Sequence, residues 1–449
     1  MLLAFLSLRW LPAIVPAADV TLPGIMWPAL LAFSLYLSLY PWIFVRALLA
    51  LRERAGPGAW LLAAPIWLLL EWIRGSGVLA FSWLHLSQSQ AGPGGYLAPA
   101  SWIGGLGLGF LMVLVQAAVA AAFWGERPLR GFAARVAGSA CLLLALLAVP
   151  SHREGEATLK VAAVQGNVSL DDKWEPRYRM ENLRVMRELS QEAVAQGAEL
   201  LVWPETAFPV NLLYDRQAEQ ALRRAAGDLG IEIVTGYQGL APSGTGDYLY
   251  RNAAGLLSPN GALEGMYSKE HLLPFGEFIP WAGLLAPGLD INLGQSNFTP
   301  GRGIRVFQSR QVPLAVFICY EMGYAASVRD AAAAGARLLL NITNDGWFEH
   351  PIAMELHAAL SPMRAAENGL PVLRCGNSGI TLICDARGRV VGRLPANRRE
   401  SLVREIRIPE QPSFYARHGA WSGSLLLAAY GLAALGALPR LRRRVSSES

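Results

Sequence analysis

Four long apolar stretches lie in the first 150 residues, and they constrain the fold more than any other feature of the sequence. They cover about residues 25–45, 58–72, 96–124 and 132–150, and a fifth covers about 421–439. A membrane-spanning helix needs about 20 mostly apolar residues, so the stretches predict a helical membrane region. Because 53% of the 449 residues are hydrophobic, a wholly soluble protein is excluded.

Three segments of this region depart from a simple span. The second stretch is short and has Glu71 and Arg74 at its end, which are predicted either to pair or to bind a lipid headgroup. Residues 78–86 are predicted to be interfacial or re-entrant. Residues 1–16 lack a basic n-region and a small-residue cleavage site, which favours a partial or broken span over a signal peptide.

Basic residues predict the orientation of the spans. Arginine clusters follow the first and last stretches and separate the third from the fourth, so alternating spans place all three on one side; they are Arg46, Arg52, Arg54, Arg127, Arg130, Arg135, Arg440, Arg442, Arg443 and Arg444. The positive-inside rule makes that side cytoplasmic. The net charge of +5 is therefore attributed largely to the arginines that orient the spans, and nucleic-acid binding is not predicted.

The polar block between the fourth and fifth stretches has a different texture. From Thr158 onward, short apolar runs alternate with helical patterns, which is typical of an α/β fold. The sequence thus predicts a membrane region at 1–150, an extramembrane α/β domain at 151–418, and a C-terminal span with a basic tail at 419–449.

Three ionisable residues follow predicted strands of the α/β domain. Glu205 follows an apolar run at 199–202, Lys269 ends a hairpin predicted from 249–257 and 265–269, and Cys319 follows the run 312–318. A cysteine attacks a carbonyl as its thiolate, which needs a nearby base or positive charge. Glu205 is the candidate general base, and Lys269 with the backbone N–H of Tyr320 is the candidate oxyanion site.

Each of these residues also has an ordinary structural explanation. Taken alone, Glu205 is a turn or cap, Lys269 is a solvated side chain, and Cys319 is a small core residue; only the combination favours chemistry. Cys375 and Cys384 could form a disulfide in an oxidising compartment, but both lie in apolar runs, which favours buried thiols. No cysteine or histidine spacing predicts a metal site.

Together these residues and their flanking motifs resemble the nitrilase superfamily, and more closely its membrane branch, the apolipoprotein N-acyltransferase family. The match runs through most of the α/β domain in order. Its motifs are VQGN (164–167), KW (173–174), WPET (203–206), HLLPFGE (271–277), ICYE (318–321), NITNDGWF (341–348) and RCGNSG (374–379). In the membrane part, FSWL (81–84) and SQSQ (87–90) are similar to the family's re-entrant segment.

The resemblance implies an architecture. We expect a nitrilase-like αββα sandwich as the extramembrane domain, joined to an α-helical membrane bundle. The family usually has eight spans, whereas this sequence shows about five and a remnant. The membrane region is therefore expected to be shortened at its N-terminal end relative to the family.

The resemblance also implies a reaction without a cofactor. Cys319 would take the acyl chain of a membrane phospholipid as a thioester and pass it to the α-amine of a diacylglyceryl-cysteine at the N-terminus of an apolipoprotein. The expected location is the bacterial inner membrane, with the catalytic domain in the periplasm. Two alternatives remain, a membrane-anchored amidase that uses water as acceptor and a non-catalytic lipid or lipoprotein binder.

Further residues are expected to support the site. Glu277 is predicted to lie near Lys269, and Tyr320 and Glu321 to shape the surroundings of the thiol; a salt bridge and a packed aromatic are their structural alternatives. Several aromatic residues in predicted loops are interpreted as acyl-chain contacts or a mobile lid, with ordinary interface anchoring as the alternative; they are Trp174, Phe275, Trp281, Trp347 and Phe348.

Overall fold

The computed structural model describes most of the chain, with gaps. The described residues are 6, 8–11, 26–92, 95–125, 127–169, 172–173, 175–209, 215–242, 248–278, 280, 298–348, 350–419, 424, 427–428 and 430–431. Most of the predicted fifth span, as well as Trp174 and Trp281, lies outside them.

The membrane region contains the four predicted spans. Its helices are α1 (Met26–Ala55), α2 (Ala63–Arg74), α3 (Ala100–Trp124) and α4 (Arg127–Leu146), and a 3₁₀ segment, Gly56–Leu62, precedes α2. Four described segments are long and apolar enough to cross a membrane: Trp27–Arg54, Gly56–Arg74, Ala100–Trp124 and Leu129–Leu146. Large apolar side chains such as Trp42, Phe123 and Trp124 are exposed, as expected for helices that face lipid.

Helix α3 is interrupted near its start, where the extramembrane domain contacts it. Gly104 has a φ of 72°, and a Cβ there would lie 2.5 Å from the Tyr415 ring, so both the backbone and the space require glycine. The backbone N–H of Gly105 donates to Glu367 Oε1 at 2.6 Å. Because the break leaves the Gly105 N–H without a carbonyl from the preceding helical turn, the Glu367 carboxylate caps the longer part of the helix.

The segment between α2 and α3 packs against the extramembrane domain. Residues 80–85 contain no helix, and a 3₁₀ turn follows at Leu86–Ala91. The predicted Glu71–Arg74 pair forms at 3.6 Å, and both partners also hold this segment, since Glu71 accepts from the Leu86 N–H and Arg74 donates to the Leu84 carbonyl. The pair at the end of the span thus fixes the loop that follows it.

The extramembrane domain is an αββα sandwich, as predicted. One sheet has the order β12-β1-β2-β3-β4-β5 and the other β11-β10-β9-β8-β7-β6. The first comprises β1 (Thr158–Gln165), β2 (Leu200–Val202), β3 (Glu232–Pro242), β4 (Tyr248–Leu257), β5 (Leu263–Ser268) and β12 (Glu400–Arg407). The second comprises β6 (Val306–Gln308), β7 (Pro313–Ile318), β8 (Leu338–Thr343), β9 (Val372–Gly376), β10 (Thr381–Cys384) and β11 (Val390–Leu394).

Helices cover the outer faces of the two sheets. Helices α5 (Arg179–Ala195) and α6 (Arg216–Leu229) share an apolar cluster with the first sheet, while the largest cluster fills the space between the sheets. The remaining helices are α7 (Ala325–Ala333), α8 (Pro351–Ala358), α9 (Leu360–Asn368) and α10 (Phe414–His418). Helix α9 lies between the second sheet and α3, so the second sheet faces the membrane region.

One expectation about this domain needs correction, and the expectation of buried thiols is confirmed. The sequence pattern at about 352–368 predicts a single helix, but the structure divides this segment into α8 and α9. Pro362 lies just after the break, where it has no N–H to continue the helical hydrogen bonding. Cys375 and Cys384 are free and buried, so they form no disulfide, and the Cys375 thiol donates to the Val202 carbonyl at 3.2 Å.

Candidate active site

Cys319 lies where β7 ends and a 3₁₀ turn begins. Its φ is 54°, a left-handed conformation that is unfavourable for a residue with a side chain. Asn341 supports it, because its side-chain amide donates to the carbonyls of Phe317 and Cys319, both at 3.1 Å. The turn therefore presents the thiol from a backbone that the neighbouring strand holds in place.

The thiol is buried among charged groups. Cys319 is 9% exposed, and burial followed by the charge of Glu205 raises its pKa to about 12, while Lys269 acts in the opposite direction. The thiol is therefore protonated at neutral pH and needs a base to become a nucleophile. Glu205 and Lys269 both influence this pKa, so the fold brings the three predicted residues into one site.

Glu205 is held from both sheets. Its Oε1 accepts from Asn252 of β4 at 2.7 Å, and its Oε2 accepts from the Asn344 N–H at 2.9 Å. The buried Lys173 ammonium donates to the Glu205 backbone carbonyl at 2.8 Å. Burial raises the pKa of Glu205 above its usual value, although Lys269 opposes the shift. A carboxylate with a raised pKa is suited to accept and return a proton.

Glu277 lies near Lys269, as expected, and forms with it the buried ion pair that was its structural alternative. The Lys269 Nζ lies 2.7 Å from Glu277 Oε2, and both side chains are almost inaccessible. Glu277 Oε1 accepts from the same Asn252 amide that binds Glu205, at 3.0 Å. Burial would lower the pKa of Lys269, but the surrounding carboxylates, Glu277 foremost, raise it above its usual value. The ion pair with Glu277 thus favours the charged form of Lys269, which suits an electrostatic role.

Glu321 and Tyr320 fix the segments around the thiol. Glu321 Oε1 accepts from the Tyr267 hydroxyl at 2.7 Å and from the N–H groups of Glu270 and His271, while its Oε2 accepts from the Ile318 N–H at 2.8 Å. It thereby links the Lys269 loop to the end of β7. Burial raises the pKa of Glu321 to about 7, although Lys269 opposes the shift.

Tyr320 connects the site to the membrane region. Its hydroxyl donates to the Ala80 carbonyl at 2.7 Å, in the segment between α2 and α3. The residue next to the thiol is thus anchored on the loop between two candidate spans. Tyr320 is therefore a neighbour of the thiol, as expected, and also the packed aromatic that was its structural alternative.

A buried polar network behind Cys319 was not anticipated. Arg374 donates to Asn341 Oδ1 at 2.6 Å and pairs with Asp345 Oδ2 at 2.5 Å, and His357 Nδ1 lies 2.9 Å from Asp345 Oδ1. All four side chains are essentially inaccessible. Through Asn341 the network reaches the Cys319 carbonyl, so it supports the conformation of the candidate nucleophile.

Trp83 packs against the His357 end of this network. It lies in residues 80–85 between α2 and α3, the membrane loop. Its ring stacks on His357 with centroids 5.3 Å apart and an interplanar angle of 27°, and it packs edge-on against Phe348 at 5.7 Å. It is 2% exposed although it belongs to the loop between two spans. A side chain of the membrane region therefore forms part of the packing beneath the catalytic domain's site.

Two signals for the network were present in the sequence. Arg374 and Asn341 each interrupt a run of apolar residues that forms a fully buried strand, and a buried polar side chain requires a partner. Asn252 gave no such signal, because its β4 strand is not uniformly apolar. Trp347, which was expected in a loop, is partly exposed beside Asp345, and Phe275 is 52% exposed.

Two family models match successive parts of the chain. Residues 160–410 match the carbon-nitrogen hydrolase family model, and residues 1–118 match the apolipoprotein N-acyltransferase N-terminal domain. Among solved structures, an amidase from Nesterenkonia sp. is similar at 22% identity with a TM-score of 0.42, over 59% of this chain and 93% of its own.

Curated relatives match over most of their length. A protein of Geobacter metallireducens named apolipoprotein N-acyltransferase is 34% identical over 414 residues, which are 88% of this chain and 78% of the relative. One of Pseudomonas syringae pv. tomato with the same name is 32% identical over 90% of this chain and 80% of its own. With both domain matches in order, the chain is a membrane-associated acyltransferase of the carbon-nitrogen hydrolase superfamily and belongs to the apolipoprotein N-acyltransferase family.

Proposed function

We propose that this protein N-acylates the α-amine of the diacylglyceryl-cysteine at the N-terminus of apolipoproteins, with a membrane phospholipid as acyl donor. Family membership supports the reaction class. The observation that carries the proposal for this chain is the buried site itself: Asn252 binds both Glu205 and Glu277, Glu277 pairs with Lys269, and Tyr320, which follows Cys319, is bonded to the membrane loop.

In the first half-reaction, Glu205 accepts the proton of the Cys319 thiol. The thiolate attacks the carbonyl carbon of a phospholipid ester, and a C–S bond forms. The ester C–O bond then breaks, and Glu205 returns the proton to the glycerol oxygen, which releases a lysophospholipid. The acyl chain remains on Cys319 as a thioester.

The developing oxyanion needs positive partners. Lys269 is a buried cation, and the backbone N–H of Tyr320 follows the nucleophile directly. Loss of one such donor in other enzymes costs about 3–4 kcal/mol of transition-state stabilisation. Because Glu277 holds the Lys269 ammonium at 2.7 Å, its proposed role is to position that charge.

In the second half-reaction, the lipoprotein amine attacks the thioester. Glu205 takes a proton from the attacking nitrogen, a C–N bond forms, the C–S bond breaks, and the thiolate recovers a proton. The product is an amide, which is more stable than the thioester, so no cofactor or nucleotide is required. Both substrates are held in the bilayer, and an enzyme anchored beside them gains effective concentration.

The membrane arrangement belongs to the same proposal. Residues 1–150 and 419–449 would anchor the catalytic domain, 151–418, in the bacterial inner membrane with the domain in the periplasm, as the arginine clusters predict. Glu321 and Tyr320 would fix the thiol's surroundings. Trp174 and Trp347 would contact the acyl chains of the two lipid substrates.

Mass spectrometry of a two-substrate reaction tests the proposal. Purified protein is incubated with phospholipid and a synthetic diacylated lipopeptide, and we expect an acyl adduct on Cys319 followed by an N-acylated peptide. Folded protein that gives neither product contradicts the proposal. Free fatty acid without N-acylated peptide would instead support the membrane-anchored amidase.

The Cys319→Ala variant tests the nucleophile, with Cys141→Ala as the matched control. Cys141 is exposed on α4, away from the site, so its replacement should leave both products unchanged. Cys319→Ala should abolish the thioester and the N-acylated peptide. Full turnover by that variant would remove Cys319 from the mechanism.

A further inference from the structure

A cleft outside the candidate active site lies between the membrane region and the catalytic domain. Its volume is about 650 Å³. One wall is formed by residues 95–98 before α3 and by Ala148 and Pro150 after α4, and the other by α8, α9 and the turn that joins β10 to β11. Glu205, Lys269 and Cys319 do not line it, so the cleft is separate from the candidate active site.

The lining of the cleft is positively charged. Arg387, Arg389 and Arg393 come from one hairpin, whereas Glu355 is the single acidic residue among the described lining residues. Arg393 pairs with Glu355 and Arg387 with Glu154, each at 2.5 Å. All the side chains in these two pairs are more than a third exposed, and exposed pairs of this kind contribute little and exchange readily.

Arg389 is the most available of the three cations. It is exposed, and within the described part of the chain its side chain has no ion pair, although its backbone N–H donates to Asp385. A guanidinium offers paired N–H donors that match the oxygens of a phosphate group. The cleft therefore offers a site for an anion, with Arg389 at its rim.

The cleft also lies at the level expected for the bilayer surface. The candidate span Ala100–Trp124 begins beside it, and the span Leu129–Leu146 ends beside it. The two span ends are joined by hydrogen bonds from the Tyr96 hydroxyl to the Leu144 carbonyl and from the Trp102 indole N–H to the Val149 carbonyl. Tyrosine and tryptophan are typical of the membrane–water interface.

An exposed apolar side chain accompanies the arginines. Val390 follows Arg389 directly, lines the cleft and is 44% exposed. An exposed aliphatic side chain next to cations suits a ligand that is both anionic and apolar. A soluble phosphate would gain nothing from this valine, whereas the glycerol and upper acyl region of a lipid would contact it.

We propose that this cleft binds the phosphate headgroup of an anionic membrane phospholipid, with Arg389 and Arg393 as its principal partners. The lipid held here is not the acyl donor, because the cleft does not contain Cys319. The inference depends on the membrane location of the chain and not on the acyl-transfer mechanism. It makes the β10–β11 hairpin a point of attachment to the bilayer surface.

Lipid titration followed by native mass spectrometry tests this site. Delipidated full-length protein in detergent is titrated with phosphatidylglycerol, with diacylglycerol of the same chains, and with glycerol 3-phosphate. We expect phosphatidylglycerol to bind most tightly. Arg389→Gln should weaken it about fivefold, and the double change with Arg393→Gln about 25-fold, since one basic residue near an anionic membrane surface contributes about 1 kcal/mol.

Arg398→Gln is the matched control, because Arg398 is exposed on the same domain but does not line the cleft. It should leave lipid binding unchanged. Three results overturn the proposal: equal binding by the cleft variants and the native chain, equal weakening by the control, or diacylglycerol or glycerol 3-phosphate binding as tightly as the lipid. Acyl transfer measured on the same variants separates a failure of this site from a failure of the proposed function.

Discussion

The two sheets of the sandwich hold their site residues in different ways. The first sheet supplies Glu205, Asn252 and Lys269, and the functional groups bind one another directly or through Glu277. This half is a compact set of mutual charge and amide contacts. Within the described structure it is formed almost entirely by the catalytic domain.

The second sheet holds its part indirectly. Cys319 is supported through Asn341 by the buried Arg374–Asp345 pair, and that pair leads by way of His357 to Trp83 of the membrane loop. The candidate base and cation are thus held by contacts within the catalytic domain, whereas the contacts that support the candidate nucleophile extend to Trp83 of the membrane loop. Substitutions should reveal this difference.

The largest expected effect is on the second sheet. Asp345→Asn removes the charge that compensates buried Arg374, and breaking a buried pair in this way typically costs about 3–5 kcal/mol. Denaturant unfolding in detergent measures the loss. Glu188→Gln, which removes an exposed partner of Arg184, is the control and should cost less than about 1 kcal/mol. Equal effects of the two changes would show that the network contributes no special support.

The next effect tests the link to the membrane. Trp83→Ala removes a buried ring, which typically costs about 3 kcal/mol or more, and it leaves His357 and Phe348 without their neighbour. In a Cys141→Ala background, we expect maleimide to label Cys319 faster than in the native chain. Trp72→Ala is the control, since Trp72 is 56% exposed on the lipid side. Unchanged labelling would mean that the nucleophile is independent of the loop.

A smaller effect is expected on the first sheet. Glu277→Gln keeps the hydrogen-bonding shape but removes one charge beside Lys269, which still has Glu205 and Glu321 nearby. We expect thioester formation to slow about tenfold, which corresponds to about 1.4 kcal/mol in the barrier. Glu270→Gln, in the same loop, should have no comparable effect. A complete loss of thioester in Glu277→Gln would make that residue indispensable.

The smallest effect concerns pH. Burial raises the pKa of Glu205 above its usual value of 4.5. As the pH falls, the base should become protonated, and thioester formation should slow, at a higher pH than an unperturbed glutamate would give. Asn252→Ala removes a hydrogen bond that favours the charged form, so it should move this acid limb to higher pH. Rapid-quench measurements across pH test it. A downward shift would contradict the assignment of Glu205 as base.

Much of the fold was predictable because local patterns report it. The apolar runs before Glu205, Lys269 and Cys319 are the strands β2, β5 and β7, and the four long stretches are the candidate spans. The strands β6 and β12 were not predicted. Strand β12 is an edge strand of mixed polarity that is defined by its pairing with β1 from Thr158 to Gln165, and such pairing between distant segments leaves no local signal.

The supporting contacts of the site were less predictable for the same reason. Asn252 and its partner Glu205 are 47 residues apart in the sequence, and Arg374 and its partner Asp345 are 29 residues apart. Sequence alone indicates that buried Arg374 needs a partner, but it does not indicate which one. The packing of Trp83 on His357 depends on how two regions meet, which neither region's pattern contains.

The cap that Glu367 places on the Gly105 N–H has a consequence for the order of assembly. Glu367 lies 262 residues after Gly105 in the chain, so the ribosome has finished α3 long before the residue that completes its start exists. Until the later domain folds against α3, the Gly105 N–H beside the interrupted turn lacks its carboxylate partner, and water or lipid headgroups must satisfy it. The membrane helix reaches its final form only after the domain it carries.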